Sequence, residues 1–474
     1  MKNKKIGFII LLITLPIIAL GIYLTHQFGM MGFLALIALV VLGYLFHLIL
    51  KDPFIGISLT IATLPFERIP TLDIGLFTLK IDQVFAGMTI VSWVLKLLFS
   101  KNKFQPYPIG WPLGIFVFLS LISMMLAVDH NRAFSVLVFT IFMIIVSFMT
   151  TNIVDSEKRL ETVVKIFLYA AFFVSLFGLY QFAGDIIGLP NNLTGLKDIY
   201  SKAVMGFPRI QAFSMEPLFL ANYLFIPLGL ALSLYIFKEN KIASNTKLLA
   251  LIALISIVIV LGISRGAYIA LGFFASFFVF FMARKFLTFK NIMIFIVGII
   301  IVGGTSYEFL KISRPDALKT FISHAKIEDF SVGESVQKRL ADYQKAIDYW
   351  GEKPFLGIGP GNYGPRYKNY PPHSEVKGWE VVNNEYLEIL AETGIFGLLF
   401  FALTILMLCL RTIKAYYAGG SNFQKAVLIG LISALIAILV QYNFFSTLYI
   451  MHIWILIGLI VAAQNLCFNS KEPR

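Results

Sequence analysis

Three arginines are the residues of this chain best placed for chemistry, because each lies where apolar sequence meets polar sequence. Arg209 comes shortly before an apolar run, Arg265 lies in the short turn between two such runs, and Arg339 lies in a long polar segment. A charge near a bilayer is costly unless it meets water or an anion. Because a guanidinium donates paired hydrogen bonds to phosphate or carboxylate, these positions predict recognition of an anionic group at a membrane surface.

Arg265 and Arg339 each have a structural alternative. Arg265 could be an arginine whose side chain only reaches out to the membrane surface. Against this, Ser264 and Gly266 are small neighbours that would admit a ligand close to the backbone. The basic neighbours of Arg339 could be no more than the solvated face of a helix.

Arg209 also has a structural alternative, a salt bridge to Glu216. The pair Glu216-Pro217 has the acid and proline that often open a helix, so Glu216 is placed at the start of the next apolar run. Both interpretations of Arg209 stay open at this point.

The segment Gly333 to Trp350 predicts an amphipathic helix that lies on the membrane surface. Its apolar residues recur every three to four positions, at Val336, Leu340, Tyr343, Ile347 and Trp350. A glycine-rich run, Pro354 to Tyr363, follows. This run resembles a phosphate-binding loop, but no strand precedes it, so it is a weak nucleotide motif.

A second set of polar side chains stands where the polar segment Tyr307 to Asn384 turns into an apolar helix. The set comprises Asn383, Asn384, Glu385 and Tyr386. This position is a boundary between water and membrane, so the long polar segment is where chemistry on water-soluble groups has room to occur.

The composition identifies the element type that positions these residues. Apolar residues make up 58% of the 474-residue chain and charged residues only 14%, with a mean hydropathy of +0.82, which excludes an ordinary soluble globule. Apolar runs of about 17 to 25 residues can cross a bilayer as helices. We therefore expect an all-α polytopic integral membrane protein with about 14 transmembrane helices and one large extracytoplasmic loop. The runs are Ile6–Leu24, Met31–Leu50, Pro53–Pro65, Val84–Phe99, Trp111–Val128, Ala133–Asn152, Glu161–Phe182, Glu216–Phe237, Leu248–Ile263, Ala267–Met282, Asn291–Ser306, Tyr386–Leu410, Ala426–Tyr442 and Thr447–Ala463.

The distribution of Lys and Arg predicts orientation. These residues collect in alternate loops, which predicts that both termini lie in the cytoplasm and that the three arginines lie on the extracytoplasmic side of the membrane. The chain then divides into amino-terminal membrane helices (1–207), core helices with arginine-bearing outer turns (208–306), the extracytoplasmic loop (307–384) and carboxy-terminal helices (385–474).

The net charge of +13 needs no nucleic acid to explain it, because most basic residues are topological anchors that face anionic lipid head groups. Cys409 and Cys467 both fall at cytoplasmic ends of apolar runs and indicate no disulfide. The sequence contains no metal-ligand spacing and no nucleotide-phosphate loop. We expect neither a metal nor a cofactor.

Four pieces of sequence together resemble the O-antigen ligase and Wzy-type polymerase superfamily, whose members transfer glycans from a polyprenyl-diphosphate carrier. The pieces are Arg209 with Phe213-Ser-Met-Glu-Pro, Ser264-Arg-Gly-Ala, Arg339 with Trp350 and Pro354-Phe-Leu-Gly-Ile-Gly-Pro-Gly, and Asn383-Asn-Glu-Tyr-Leu through Gly394-Ile-Phe-Gly-Leu. They extend over residues 208–399. The resemblance implies a GT-C-like fold and a glycosyltransferase that needs no metal.

The chain departs from the ligase pattern at one position. That pattern has His, then Asn, Ser or Gln, then nine residues and Gly-x-x-Gly, and here Asn383 stands in place of the His, followed by Asn384 and later by Gly394 and Gly397. An asparagine amide orients a hydroxyl but does not take its proton. Four residues could replace the base, with Glu385 and His373 ranked ahead of Glu375 and Glu380.

The resemblance implies inverting transfer of a glycan from a polyprenyl-diphosphate donor to a sugar hydroxyl. Arg265 and Arg339 would stabilise the leaving diphosphate, with Arg209 in support, while Ser264, Glu216, Asn383, Asn384 and Tyr386 would contact substrate. Repeat-unit polymerisation, with a chain-length regulator as a further partner, is placed first. Ligation to a lipid A core, protein O-glycosylation and, in another class, flipping of a lipid-linked oligosaccharide stay open.

Overall fold

A computed structural model describes residues 26, 29–68, 71–73, 78–99, 104–281, 334–367, 380–446 and 448–469. Two of the predicted apolar spans, Ile6–Leu24 and Asn291–Ser306, lie outside these residues. The candidate bases His373 and Glu375 also lie outside them.

The described part of the chain is almost entirely helical. Its helices are α1 (Met30–Lys51), α2 (Pro53–Thr63), α3 (Ile81–Phe99), α4 (Gly110–Met124), α5 (His130–Ile153), α6 (Glu157–Ile187), α7 (Asn191–Thr194), α8 (Lys202–Met205), α9 (Pro217–Ile236), α10 (Asn245–Leu261), α11 (Arg265–Phe281), α12 (Glu334–Glu352), α13 (Tyr363–Arg366), α14 (Glu385–Ala418), α15 (Asn422–Gln441) and α16 (Met451–Asn469). A two-stranded antiparallel hairpin, β1 (Thr71–Asp73) and β2 (Thr78–Lys80), separates α2 from α3. The sequence patterns did not predict this hairpin.

Every predicted apolar span that falls on described residues is a helix. Eight of these helices are long and apolar enough to cross a membrane, and four shorter apolar helices accompany them. Because hydrocarbon offers no hydrogen-bond partners, a chain with several such helices satisfies its backbone internally. The protein is therefore a multi-pass membrane protein.

The core of the bundle is built from α9, α15 and α16. A side chain on Gly229 of α9 would lie 2.3 Å from the carbonyl oxygen of Gly430 on α15, so the two backbones pack in direct contact. Buried polar groups link the same helices, because Asn222 donates to Gln441 (2.6 Å) and pairs with His452 (2.6 Å). This core fixes the relative positions of the helix ends that carry the site.

The bundle has two ends, which we call the site end and the opposite end. At the site end the turn after α15 meets the start of α14, where the Glu385 N–H donates to the Tyr442 carbonyl (2.8 Å). At the opposite end Arg411 of α14 donates to Gln464 and Asn465 of α16 (2.8 and 2.6 Å). The two ends of the bundle are therefore held by separate sets of contacts. The three arginines lie at the site end.

Candidate functional site

Arg209 is half-buried at the site end, on the loop that leads into α9. Its backbone N–H donates to the Tyr200 carbonyl (2.9 Å), and its Nε donates weakly to the Gly262 carbonyl after α10 (3.5 Å). The guanidinium also lies over the Tyr200 ring, 5.5 Å from its centre. Burial lowers the pKa of Arg209, and the nearby Glu216 charge partly offsets this effect. Arg209 is thus fixed beside the turn between α10 and α11.

The Arg209–Glu216 salt bridge is not formed in this structure. Glu216 occupies the cap position of α9, as its sequence predicts, and is exposed. The two described side chains interact electrostatically, but they make no ion pair within 4 Å. The N–H donors of the Arg209 guanidinium therefore point to groups other than Glu216.

Arg265 is the first residue of α11 and is half-buried. The turn before it is tight, because Ile263 has a left-handed backbone (φ 45°), which is costly for a β-branched residue. Ser264 is buried in this turn, and a side chain on Gly266 would meet the Phe444 ring at 3.0 Å. Packing therefore allows little freedom to the backbone that carries Arg265.

Arg339 lies on α12, one helical turn before Tyr343. The Tyr343 hydroxyl donates to the Asn443 carbonyl (2.8 Å) and more weakly to the Asn383 carbonyl (3.4 Å). Burial raises the pKa of Tyr343, whereas the positive charge of Arg339 lowers it. The turn of α12 that follows Arg339 is consequently held against the start of α14.

The turn after α15 joins the elements that carry Arg265 and Arg339. Its Asn443 carbonyl accepts from Tyr343 on α12, while the neighbouring Phe444 ring packs against Gly266, beside Arg265. Two arginines that are 74 positions apart in the sequence are thereby connected through one short turn. The third, Arg209, contacts the same α10–α11 turn at the Gly262 carbonyl.

Asn383 and Asn384 form the amino-terminal cap of α14. The Asn384 side chain accepts from the Leu387 N–H (3.1 Å), and its own N–H donates to the Ser446 hydroxyl (2.9 Å). Asn383 is half-exposed and has a left-handed backbone (φ 58°), a conformation that asparagine adopts more readily than most residues. Within the part of the chain that the structure describes, the Asn383 amide makes one weak hydrogen bond, to the Val381 carbonyl (3.4 Å).

Glu385 is buried and Tyr386 is half-buried against neighbouring helices. Glu385 is 3% exposed and interacts electrostatically with Tyr386 and Tyr442. The Tyr386 hydroxyl donates to the Leu439 carbonyl on α15 (2.7 Å). Among the other candidate bases, Glu380 forms an ion pair with Lys338 (3.1 Å).

The glycine-rich run is a docking loop in this structure. The N–H groups of Gly361 and Tyr363 donate to the two carboxylate oxygens of Glu392 on α14 (2.6 and 3.0 Å). The Gly359 N–H donates to the Glu392 carbonyl (3.0 Å). These backbone donors, which the sequence associated with a phosphate, are occupied by a side chain of the protein.

Two glycines allow the loop to approach α14 closely. A side chain on Gly357 would lie 2.3 Å from the carbonyl carbon of Glu392, and one on Gly394 would lie 2.3 Å from that of Phe355. Both residues have positive φ, and at Gly394 (φ 70°, ψ −174°) the helix kinks. Gly394 of the family pattern therefore serves both the kink and the contact.

The docking loop also holds α12. The Tyr363 hydroxyl contacts Asp342, which is 2% exposed, at its carbonyl (3.2 Å) and its carboxylate (3.3 Å). The buried face of α12 is formed by Asp342, Ala346 and Tyr349, whereas Leu340 and Ile347 of the predicted apolar face are 57% and 41% exposed. A continuous set of contacts thus runs from Glu392 through the loop to the helix that carries Arg339.

Sequence reasoning missed Glu392 and Tyr343. A carboxylate inside an apolar span is costly, so Glu392 carried a signal that could have marked it. Tyr343 carried no such signal, because a tyrosine is expected anyway on the face of an amphipathic helix that meets the membrane interface.

Among the described residues, no group of three His, Cys, Asp or Glu side chains is arranged to hold a metal ion.

Comparison with known proteins gives one match. Residues 249–402, about a third of the chain, match the family model for O-antigen ligase, Wzy_C. This region contains Arg265, Arg339 and the Asn383–Tyr386 cap, but ends short of Arg209 on the amino-terminal side. No curated protein matches the chain. The match at residues 249–402 confirms that the chain resembles the O-antigen ligase and Wzy-type polymerase superfamily.

Proposed function

We propose that this protein transfers a glycan from a polyprenyl-diphosphate carrier, such as undecaprenyl diphosphate, to a sugar hydroxyl at the outer leaflet of the bacterial cytoplasmic membrane. The family match supports a ligase-type or polymerase-type function in general. The observation that carries the proposal is the placement of Arg209, Arg265 and Arg339 around the turns that meet the start of α14. Three cations beside a membrane fit a lipid-linked diphosphate.

In the proposed reaction, an acceptor hydroxyl attacks the anomeric carbon of the donor glycan. The new carbon–oxygen bond forms as the bond to the diphosphate breaks, and the diphosphate leaves with the electron pair. Arg265 and Arg339 stabilise the charge that develops on its oxygens, an effect that is strongest in a partly dehydrated site. Attack from the face opposite the diphosphate inverts the anomeric centre.

The start of α14 is the acceptor side of the proposed site. Asn383 offers an amide that orients the acceptor hydroxyl, with Asn384, Ser264 and Tyr386 nearby on the same end of the bundle. The hydroxyl proton passes to a carboxylate or imidazole, for which Glu385 and His373 are the candidates. Of these, Glu385 is enclosed, so closure around a substrate would have to bring it into contact with the hydroxyl.

Repeat-unit polymerisation of a surface polysaccharide is the activity that we place first, because Asn383 replaces the histidine of the ligase pattern. Ligation to a lipid A core and transfer to protein use the same donor and are the closest alternatives. A flippase is the alternative of another class. Purified protein in liposomes that moved lipid-linked glycan across the bilayer without lengthening it would support the flippase and oppose the transferase.

The decisive experiment measures elongation of a lipid-linked oligosaccharide by purified protein. Arg265→Ala and Arg339→Ala should each lower the rate by about 10²–10³-fold, the usual effect of removing a donor that stabilises developing charge. Arg159→Ala, which removes partly exposed salt bridges to Asp52 and Asp155 at the opposite end, is the matched control and should retain activity. Full activity in both site variants would refute the diphosphate clamp.

A further inference from the structure

The site end carries a second pair of basic residues, Arg68 and Lys197, that the proposed reaction leaves unused. An Arg68 nitrogen donates to the Gly195 carbonyl (3.0 Å), and Lys197 Nζ donates to the Met215 carbonyl (2.7 Å). In the amide orientation that satisfies its neighbours, the buried Gln211 oxygen accepts from the Lys197 N–H (3.1 Å) and from the Arg68 guanidinium. One buried amide therefore binds both the Arg68 guanidinium and the Lys197 backbone.

The pair carries positive charge that no carboxylate neutralises by direct contact. Among the side chains that the structure describes, neither Arg68 nor Lys197 has a carboxylate within 4 Å. Burial lowers the pKa of Lys197 and the Arg68 charge lowers it further, whereas the Glu216 charge raises it. The neighbouring Glu67 is 4% exposed, and burial raises the pKa of its carboxyl, whereas the Lys80 charge and the Met215 N–H lower it. Two cations held close to each other in this way favour a ligand with several negative charges.

This basic pair lies beside the proposed donor site. Lys197 and Arg209 belong to the same connection, between α7 and α9, and both interact electrostatically with Glu216 at its end. The Arg68 N–H donates to the Phe213 carbonyl of that loop (3.2 Å), which places Arg68 at the site end of the bundle. A ligand anchored in the membrane could reach both basic groups from the same surface.

A polymerase has to hold two lipid-linked glycans at once. The donor diphosphate is at the reacting carbon, whereas an acceptor that is itself lipid-linked carries its diphosphate at the far end of its glycan. Both diphosphates lie at the same membrane surface, because each is fixed to a membrane lipid. The second one must therefore be bound beside the first, displaced along the surface.

We propose that Arg68 and Lys197 bind the diphosphate of the acceptor lipid, an inference that rests on the proposed transferase function. Arg68 is a guanidinium and Lys197 a compact charge, the two side-chain types that bind phosphate groups, and both would exchange neutral protein acceptors for charged phosphate oxygens. An enzyme with two diphosphate sites would be specific for an acceptor that is itself lipid-linked, as polymerisation requires.

The first test counts bound diphosphate lipids. Native mass spectrometry of the full-length protein with a short-chain polyprenyl diphosphate should give two bound ligands, and one for the double variant Arg68→Gln/Lys197→Gln. Arg265→Ala/Arg339→Ala should also retain one. Inorganic pyrophosphate in excess should displace both, because it shares the charged group but not the lipid. Two ligands in the Arg68/Lys197 double variant would overturn the proposal.

The second test separates acceptor binding from folding. The Arg68→Gln/Lys197→Gln variant should raise the KM for a lipid-linked acceptor at least tenfold, yet leave the rate with the same oligosaccharide freed of its diphosphate unchanged. The swap Arg68→Lys/Lys197→Arg, which keeps both charges, should recover most of the loss. Lys202→Gln, whose Nζ donates to the Ile186 carbonyl nearby, is the control and should behave as wild type.

The outcomes distinguish the two proposals. Equal losses with both acceptors would show that the basic pair only supports the loop, and would refute the acceptor site while leaving the transferase function intact. If wild-type protein elongated neither acceptor, the transferase function would fail, and two bound ligands reduced to one would still establish the second diphosphate site.

Discussion

Guanidinium groups reach the site end from three separate segments, and each is positioned by a different kind of contact. Arg209 is held by carbonyl oxygens and by the Tyr200 ring, the backbone at Arg265 by a strained turn, and the helix that carries Arg339 by the hydrogen bond of Tyr343. These restraints are independent of any ligand, as our proposal of an anion site requires. Preorganised charge is what stabilises a transition state without further rearrangement.

Replacing Asn383 by histidine would test the acceptor side directly. The φ of 58° at this position is one that histidine tolerates, so Asn383→His should fold normally. We expect the variant to be active and its rate to rise as the pH passes through about 6.5, where an imidazole loses its proton and becomes a base. A pH–rate profile of elongation measures this. A profile identical to that of the wild type would contradict the assignment of position 383 to the acceptor.

The base of the wild-type enzyme can be identified by two substitutions. Of Glu385→Gln and His373→Ala, the one that removes the base should lower turnover by about 10²–10⁴-fold, and the other should have a small effect. Turnover under saturating donor and acceptor is the measurement. Unchanged rates in both variants would assign the proton transfer to another group.

At the scale of elements, the docking of the glycine-rich loop on α14 is the central arrangement of the site. Glu392 binds the loop, Tyr363 of the loop binds Asp342, and Asp342 belongs to the helix that carries Arg339. The opposite side of the loop is fixed to α5, because Arg132 donates to the Gly361 carbonyl (2.6 Å). The loop therefore determines where α12 lies relative to the bundle.

Gly394→Ala should disrupt this docking. The methyl group would lie 2.3 Å from the Phe355 carbonyl, and the backbone at φ 70° costs about 1–3 kcal/mol for a residue with a side chain. We expect a lower thermal unfolding temperature in detergent and loss of elongation. Gly272→Ala in α11, where a side chain meets no atom within 4 Å, is the control and should match the wild type. Equal stability of the two variants would refute the docking.

Glu392 should matter through the loop it binds. Glu392→Ala leaves the N–H groups of Gly361 and Tyr363 without an acceptor, at a cost of about 1–3 kcal/mol for each. Glu392→Gln retains one acceptor oxygen and should lose less. Chemical unfolding compares the two, with Glu239→Gln at the opposite end as control. An alanine variant as stable as the wild type would show that the loop docks without this carboxylate.

At the scale of the whole molecule, the two ends of the bundle carry different sets of residues. The site end carries the arginines, the cap of α14 and the basic pair Arg68 and Lys197. The opposite end is held by Arg411 and by a Lys241–Glu157 contact (2.5 Å), which join helix termini. This division is consistent with the reaction that we propose at a single bilayer surface.

Cysteine labelling would establish which end faces the outside. In a chain with Cys409 and Cys467 replaced by alanine, a cysteine at the exposed position Asp348 should react in whole cells with a membrane-impermeant maleimide, and one at Asn240 should react only after lysis. The expectation follows from the positive-inside distribution of Lys and Arg. The reverse pattern would place the site in the cytoplasm and refute the proposed reaction.

Much of the architecture could be predicted from the sequence, because membrane helices are specified locally. Runs of apolar residues and their polar interruptions located every described span, and Glu216-Pro217 located the start of α9. The same local patterns singled out Arg265, Arg339 and the start of α14. What they could not supply was the partner of each residue.

The partners were decided by the tertiary structure. Glu392 meets Gly361 and Tyr363 about thirty positions away, and Asn362 accepts from the Asp129 N–H (2.7 Å) from far along the chain. Such pairs depend on which helices pack together, and the spacing of apolar residues along the sequence does not reveal this. By itself the sequence determined where the membrane helices and the arginines lie along the chain, because burial in hydrocarbon is a local demand. Only the tertiary structure decided that the glycine-rich donors bind a carboxylate of the protein, because that choice depends on close approach between distant backbones.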